Sequence, residues 1–306
     1  MASSSELAAR RQRSQPLPAS RSQRRPLPMH PFVFVAPSLL LLVLLLVLPL
    51  GQAIVTSLTV KGAFSFDNYA RALGRDDLVR LALGHTLVFA AVSTVGQYIL
   101  GLLIALFLHE RIPARGLFRV LFLIPWMFPA VVPGIVWRWM LDGQFGIVNE
   151  LLLRVGLIHS YVAWLGTPDT ALPATIVANI WRGFPFMLVM LLAALQVIPG
   201  ELYEAASVDG ARWFHRFWHI TLPSIRDISL VVVLLGWIGS FMNFAIVQVM
   251  TNGGPANASE VLATQIYKSA FQYFDIPYAA AIGVLLLLFL SLPGAVYARM
   301  TLRPSA

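Results

Sequence analysis

The sequence predicts an all-α integral membrane protein with six transmembrane helices. Of the 306 residues, 58% are hydrophobic and only 12% are charged, which is too apolar for a soluble domain of this size. The apolar residues gather in long segments, each close to the roughly 20 residues that a helix needs to cross a bilayer. The six predicted spans are residues 32–50, 85–108, 117–139, 172–197, 228–250 and 277–298.

The first 30 residues are expected to form a disordered basic tail, because they contain six arginines, a single acid and no apolar periodicity. Residues 32–50, the first span, are apolar apart from Ser38. A cleavable signal peptide is the alternative, since Gly51 and Ala53 supply small residues after the apolar run. That run exceeds the usual core of roughly 7 to 15 residues, so a retained span is favoured.

The third span, 117–139, contains prolines at four-residue intervals, namely Pro125, Pro129 and Pro133. Each removes a backbone donor and bends the helix. In a membrane the freed carbonyl groups need partners on neighbouring helices. We therefore expect this span to be bent and to lie inside the bundle.

The segment 140–170 that follows is amphipathic. An apolar stripe of Ile147, Leu151, Leu152 and Val155 favours a helix that lies in the membrane interface. The fourth span, 172–197, carries two embedded polar residues, Asn179 and Arg182. A central arginine costs about 2.5 to 3.5 kcal/mol on insertion, so Arg182 is expected to extend to the interface.

The polar segment 199–223 separates the fourth and fifth spans. Pro199 and Gly200 end the preceding helix, residues 201–208 suit a short helix, and Gly210 permits a sharp turn. A second short helix over 212–219 is expected, with four aromatic residues filling a helix-turn-helix knob: Trp213, Phe214, Phe217 and Trp218. His215 and His219 have a ligand-like spacing, but their aromatic and basic neighbours favour packing over a metal site. No metal site is predicted in this chain, which also lacks cysteine.

This segment resembles the EAA loop of the permease subunits of binding-protein-dependent ABC importers. Glu204-Ala205-Ala206, Gly210 and the later Ile220-x-Leu222-Pro223 match it without a gap. A second match, Thr251 to Pro255 followed by Tyr267, resembles the carbohydrate-uptake branch, the maltose and glycerol-phosphate type permeases. The resemblance covers residues 31–299, and segment 199–223 is called the EAA loop below.

The resemblance implies that the EAA loop is cytoplasmic and fits a cleft of a separate ATPase. The implied coupling residues are Glu204, Ala205, Ala206, Asp209, Gly210, Ile220, Leu222 and Pro223. The implied partners are a second permease subunit, two ATPase subunits and an extracytoplasmic substrate-binding protein, for which 140–170 is either a docking surface or only a membrane belt. The sequence has no G-x-x-x-x-G-K-[ST] phosphate loop, so ATP and magnesium are expected on the ATPase and no cofactor on this chain.

The distribution of positive charge predicts the orientation. Fourteen of the 22 lysines and arginines fall in the tail, the 109–119 turn, the loop 199–226 and the C-terminal end, against seven in the other loops. Cytoplasmic segments carry such an excess. Both termini, including the tail 300–306, are therefore expected in the cytoplasm of a bacterial-type cell, with a multi-pass protein in its cytoplasmic membrane.

The fifth span carries an aromatic stripe at helical spacing, which is a candidate substrate pathway. Aromatic faces and polar tips suit a transient sugar site, and helix packing is the equally weighted alternative. Asn243 lies off the stripe and needs a polar partner within the membrane. The candidate pathway residues are Trp237, Ser240, Phe241, Asn243, Phe244 and Gln248.

The function expected from these features is that of a permease subunit importing a sugar or sugar derivative, with no catalysis by this chain. An importer for another solute, such as a glycerophosphodiester or an oligopeptide, is the alternative. An integral-membrane enzyme is disfavoured because embedded polar residues are few and unclustered. The net charge of +8 does not indicate nucleic acid, because the basic residues are dispersed at the ends of apolar segments.

Overall fold

The computed structural model describes residues 31–110 and 112–301, and it divides into two compact units at Leu50. The predicted tail 1–30 and most of the tail 300–306 lie outside the described residues. In the first unit, α1 (Pro31–Leu42) is followed directly by a π-helical turn (Val43–Val47). Helix α2 (Leu48–Ser57) follows. Residues 35–50 are exposed on every side, as suits a helix in contact with hydrocarbon.

The second unit is mostly helical. Its helices are α3 (Asp67–Ala70), α4 (Asp77–His109), α5 (Arg115–Met127), α6 (Val131–Met140), α7 (Ile147–Arg154), α8 (Pro168–Gln196), α9 (Gly200–Val208), α10 (Trp213–Arg216), α11 (Leu222–Ser224), α12 (Arg226–Phe241), α13 (Phe244–Met250), α14 (Leu262–Tyr267) and α15 (Ile276–Thr301). Three π-helical turns, Arg71–Arg75, Phe217–Thr221 and Lys268–Gln272, follow α3, α10 and α14. A hairpin of β1 (Thr59–Val60) and β2 (Ala63–Phe64) pairs Thr59 with Phe64.

Within the described residues, four helical segments are long and apolar enough to cross a membrane. They are Val35–Ser57, Asp77–His109, Pro168–Gln196 and Ile276–Ala295. The number reaches six if two bent pairs each form one span: Arg115–Met127 with Val131–Met140, and Trp213–Ser224 with Arg226–Phe241. The chain is thus a helical membrane protein with four to six spans.

The second span begins earlier than predicted. Helix α4 starts at Asp77 rather than His85, because the Asp76 carboxylate accepts hydrogen bonds from the backbone amides of Leu78 (3.0 Å) and Val79 (3.2 Å). A side-chain oxygen in this position satisfies donors that the first helical turn leaves free. Residues 77–84, which the sequence placed ahead of the second span, are therefore helical.

The third span is sharply broken. Helices α5 and α6 meet at an angle of 100° around Pro129, so the predicted bend is present. The expectation that this span lies inside the bundle is wrong for the single chain, because Pro125, Pro133 and Gly134 are the only buried residues of the two helices. The sequence alone does not show which face of these two helices is buried against the rest of the chain.

Helices α4 and α8 form the central pair of the bundle. Leu102, Leu108, Met187 and Leu188 belong to the largest buried apolar cluster. Gly101 permits the close approach, since a Cβ there would lie 2.6 Å from the Cβ of Met187. This pair sets the positions of the helices that carry the candidate site.

The fifth span is also broken. Sequence predicted one helix over 228–250, but α12 ends at Phe241 and α13 begins at Phe244. Asn243 lies between them with ψ of 60°, which is not helical. The interruption falls within the candidate pathway and changes its geometry, as described below.

The sixth span agrees with its predicted bounds to within a few residues. Helix α15 is tied to the outer segment through Tyr278, whose hydroxyl donates to Asp76 at 2.7 Å. Arg71 pairs with Asp275 at 2.8 Å and lies over the Tyr278 ring at 3.8 Å. The segment before α4 is thereby fixed to the start of the last span.

Candidate functional site

The EAA loop forms two short helical pieces separated by a sharp turn, as the sequence predicted. Helix α9 ends at Val208, and Gly210 follows with a φ of +75°. This left-handed conformation disfavours side chains with a Cβ. The amide of Ala211 then donates to the carbonyl of Ala206 at 2.8 Å, which closes the turn and directs the chain into α10.

Two side-chain contacts hold the halves of the EAA loop together. The Tyr203 hydroxyl and the Thr221 hydroxyl are 3.0 Å apart. Arg216 donates to the Ser207 hydroxyl at 3.0 Å. The loop is therefore a fixed hairpin of helices and not an extended connection.

The aromatic residues of the EAA loop do not fill its interior, which corrects the expected aromatic filling. Trp213 and Phe217 stack with centroids 5.6 Å apart, and Phe214 contacts Trp218. Trp213, Phe214 and Trp218 are nevertheless 58%, 65% and 49% exposed. Helices α9, α10 and α11 contain no buried residue. An exposed apolar surface of this kind is typical of a partner-binding region.

The EAA loop encloses a cleft of about 560 Å³. It is lined by four of the residues that the motif identified, together with basic and small neighbours: Ala206, Asp209, Gly210, Ala211, Arg212, His215, Arg216, His219 and Ile220. The rings of His215 and His219 stack at 4.0 Å. No group of three potential metal ligands occurs within residues 31–110 and 112–301.

Glu204 and Asp209 are exposed and form no ion pair within the described part of the chain. Ala205 is also exposed. Leu222 is half-buried and Pro223 is exposed, both in α11. The motif residues thus lie on or beside one accessible surface, with their charges available to another molecule.

The break in the fifth span divides the candidate pathway stripe into two aromatic pairs, so the single continuous stripe is a wrong expectation. Trp237 contacts Phe241 in α12, with centroids 4.9 Å apart. Phe244 in α13 turns instead to Tyr267 at 5.2 Å. Residues on either side of a non-helical position do not keep helical spacing, which is the reason for the difference.

Four buried polar residues from three helical segments meet at this break, and we call them the polar cluster: Gln97, Asn179, Ser240 and Asn243. Asn243 donates to the side-chain oxygen of Asn179. Asn179 donates to Ser240 at 3.4 Å, and Gln97 donates to the Asn179 carbonyl at 3.0 Å. The partner that Asn243 required is therefore Asn179.

Several polar atoms near this region are buried without a hydrogen-bond partner among the described residues: Ser93 Oγ, Thr94 Oγ1, Trp237 Nε1 and Gln248 Oε1. Buried polar atoms without partners are costly. Sequence reasoning missed Ser93, Thr94 and Gln97. The signal available was a group of polar residues, 93–97, inside an otherwise apolar helix.

Arg182 lies near the midpoint of α8, half-buried, with an Nε that has no partner among the described residues. This differs from the expected interfacial position. A mid-helix arginine of this type suits a water-filled cavity or an interface with another subunit.

The segment after α6 forms the helix that its apolar stripe predicted, α7, with Ile147, Leu151 and Val155 exposed. Buried Asn149 fixes it, because its amide binds the carbonyls of Asp142 and Val162 while its oxygen accepts from Trp164 Nε1 at 2.8 Å.

A surface ion pair accompanies this helix. The Tyr161 hydroxyl, followed by Arg154, lowers the pKa of Glu150. Glu150 is therefore negatively charged at neutral pH on an exposed surface beside the apolar stripe.

Comparison with known proteins identifies the family. Residues 97–301 match the family model described as binding-protein-dependent transport system inner membrane component. A relative in Thermococcus litoralis, the trehalose/maltose transport system permease protein MalF, is 36% identical over 252 residues, which are 80% of this chain and 83% of the relative. The sulfoquinovosyl glycerol transport system permease protein SmoG of Agrobacterium fabrum is 31% identical over 88% of this chain and 89% of its own length.

The fold has a solved counterpart. A crystal structure of a bacterial ABC transporter involved in the import of alginate has a chain that superposes with a TM-score of 0.76 at 24% identity, covering 88% of this chain and 95% of that chain. The two chains therefore share a fold. The chain is a member of the binding-protein-dependent transport system inner membrane components.

Proposed function

We propose that this chain is the permease subunit of an ATP-driven importer for a sugar or sugar derivative. The observation that carries the proposal is the EAA loop, whose motif residues line a cleft and stay accessible at the surface. A loop with exposed charges and three exposed aromatic rings suits docking to another subunit. Relatives that transport trehalose and maltose or sulfoquinovosyl glycerol support a sugar as the solute.

Substrate would pass along the inner face of the fifth span. Trp237 and Phe241 offer aromatic planes on which a sugar ring can stack, and Gln248 and the Trp237 indole offer unpaired polar atoms. Tyr and Trp combine an apolar face with a hydrogen-bonding tip, which suits a molecule with apolar C–H faces and hydroxyl edges. The polar cluster holds this segment in place.

Energy would come from partner subunits. Two ATPase subunits that bind ATP and magnesium would hold the EAA loops of this chain and a second permease. Both termini and the EAA loop would lie in the cytoplasm, and an extracytoplasmic binding protein would deliver solute to the opposite face, where α7 is exposed. ATP-driven closure of the ATPases would then move the loops and open the pathway outward.

The test is reconstitution of the complete complex into vesicles with the binding protein. We expect ATP-dependent accumulation of a di- or oligosaccharide and stimulation of ATP hydrolysis by the same saccharide. Glycerophosphodiesters and oligopeptides serve as competing solutes. Accumulation of one of these, with no response to any saccharide, would replace the sugar assignment by the alternative importer function.

A further inference from the structure

A narrow groove of about 260 Å³ lies between the ends of α4, α5 and α8. Its walls are apolar side chains, including Leu108, Leu123, Leu188 and Leu192, and its polar lining residues are Arg119 and Gln196. A groove that is apolar along its length and carries a cation at one side matches the two chemical parts of a phospholipid. None of these residues belongs to the EAA loop or the candidate pathway.

The cation is not isolated. Arg115 lies four residues before Arg119, so both side chains are on the same face of α5. Neither forms an ion pair within the described part of the chain, and the Nε of each is buried without a hydrogen-bond partner there. Glu110, an acid close by in sequence, lines a different cavity with Trp213 and Phe217. Two half-buried arginines thus lack an anion.

One side of α5 faces outward from this chain, whereas Phe118 and Phe122 pack against the buried apolar cluster. Leu117 and Val120 are each 60% exposed, and Leu121 is also exposed. The arginines are in the first turns of this apolar helix, where the helix dipole favours an anion. The exposed apolar surface of α5 therefore suits the hydrocarbon layer of a bilayer, and its basic first turns suit the adjacent headgroup layer.

We infer that this groove is a binding site for an anionic phospholipid. One acyl chain lies along the leucine walls, and the headgroup phosphate accepts hydrogen bonds from Arg115 and Arg119. Basic pockets between transmembrane helices on the cytoplasmic side bind anionic headgroups in this way. The assignment to the cytoplasmic leaflet rests on the orientation proposed above, whereas the preference for an anionic lipid does not.

The experiment is native mass spectrometry of the detergent-purified transporter complex, incubated with equal amounts of phosphatidylglycerol and phosphatidylcholine. The wild-type complex is expected to retain phosphatidylglycerol preferentially. The preference should fall roughly fivefold for each of Arg115→Gln and Arg119→Gln, which corresponds to about 1 kcal/mol per arginine. Arg138→Gln, a change of an exposed arginine outside the groove, is the matched control and should leave the preference unchanged.

A second variant tests the acyl-chain half of the site. Ala193 lines the groove and is exposed, so Ala193→Trp fills the groove without altering charge or the buried core. It is expected to reduce phosphatidylglycerol retention as strongly as Arg119→Gln does. Equal retention of both lipids by the wild-type complex would overturn the inference.

Two further outcomes would also overturn it. Displacement of phosphatidylglycerol by excess inorganic phosphate, with Ala193→Trp having no effect, would mean that the arginines bind a free anion. Loss of the second permease from the Ala193→Trp complex, with lipid retention unchanged, would mean that a protein surface covers the groove. Because no readout uses solute uptake, a failure of the proposed sugar transport would leave the lipid result interpretable.

Discussion

The side-chain amide of Asn243 donates a hydrogen bond to the side-chain oxygen of Asn179, at the point where the helix of the fifth span breaks. The backbone carbonyl of Asn179 accepts from Gln97, so the contact joins α4, α8 and the α12–α13 junction. The amides of Asn243 and Phe244 donate to the carbonyls of Ser240 and Met242 and not to the carbonyls four residues earlier, so the helical ladder is interrupted where a membrane interior supplies no water. The break persists because a polar side chain meets another polar side chain there.

This bond predicts coupling between the two asparagines. Asn179→Ala and Asn243→Ala should each destabilise the protein by about 1 to 3 kcal/mol, because each leaves a buried amide unpaired. The double variant should cost less than the sum, with a coupling energy of about 0.6 to 1.7 kcal/mol. Unfolding of the detergent-solubilised protein measures all three. Strict additivity would mean that the two amides do not interact.

The long helices could be predicted from sequence because hydropathy over some 20 residues is a strong signal, and α8 and α15 begin and end within a few residues of the expected positions. The break at Asn243 could not be predicted from the sequence. Asparagine is tolerated within helices, and what interrupts this one is a contact with Asn179, 64 residues away. The residues around Asn243 do not indicate a contact with a residue so far away in the sequence.

The EAA loop was predictable for a different reason. Pro199 and Gly210 impose backbone conformations by themselves, so the bounds of α9 and the turn after it follow from single residues. The exposure of Trp213 and Phe214 was not predictable, because aromatic residues are buried in most contexts.

The candidate pathway predicts a selective loss of transport. Trp237→Ala and Gln248→Ala should lower solute uptake several-fold while the amount of assembled complex stays near wild type, because each removes an unpaired polar atom from the proposed pathway. Val233→Ala, an exposed position on α12, is the control and should change neither quantity. Uptake that falls only in proportion to complex abundance would identify both side chains as packing residues.

Breaking the ion pair of Glu260 and Lys268 is predicted to destabilise the protein much more than breaking an exposed ion pair. Glu260 is fully buried, and its carboxylate lies 2.5 Å from the Lys268 ammonium. Lys268→Met should cost about 3 to 5 kcal/mol, because the carboxylate is left buried without its cation. Arg154→Met, which breaks the exposed pair with Glu150, should cost no more than about 1 kcal/mol. Thermal unfolding compares the two; equal costs would contradict the assigned burial of Glu260.

The charge distribution predicts the orientation of the chain. Reporter fusions after residue 30, within 251–274 and at the C-terminus should give cytoplasmic, external and cytoplasmic signals, because basic residues are concentrated in the segments assigned to the inside. A cytoplasmic signal from 251–274 would contradict an arrangement with six spans and a cytoplasmic EAA loop.

Gly210 and Glu204 provide the most direct test of the proposed coupling between the EAA loop and an ATPase. Gly210 has a φ of +75° with open space around its Cβ position, so Gly210→Asp costs on the order of 1 kcal/mol in backbone strain and deforms the turn. Glu204→Lys reverses an exposed charge on α9. Gly200→Asp, where no positive φ is required and space is equally open, is the matched control.

The deciding measurement is co-purification of the ATPase with each variant, together with solute-stimulated ATP hydrolysis in reconstituted vesicles. We predict that Gly210→Asp and Glu204→Lys leave the permease in the membrane at wild-type amounts but either release the ATPase or abolish stimulation of hydrolysis by solute, while Gly200→Asp retains both. Wild-type values in both assays for Gly210→Asp and Glu204→Lys would show that the EAA loop is not the coupling site.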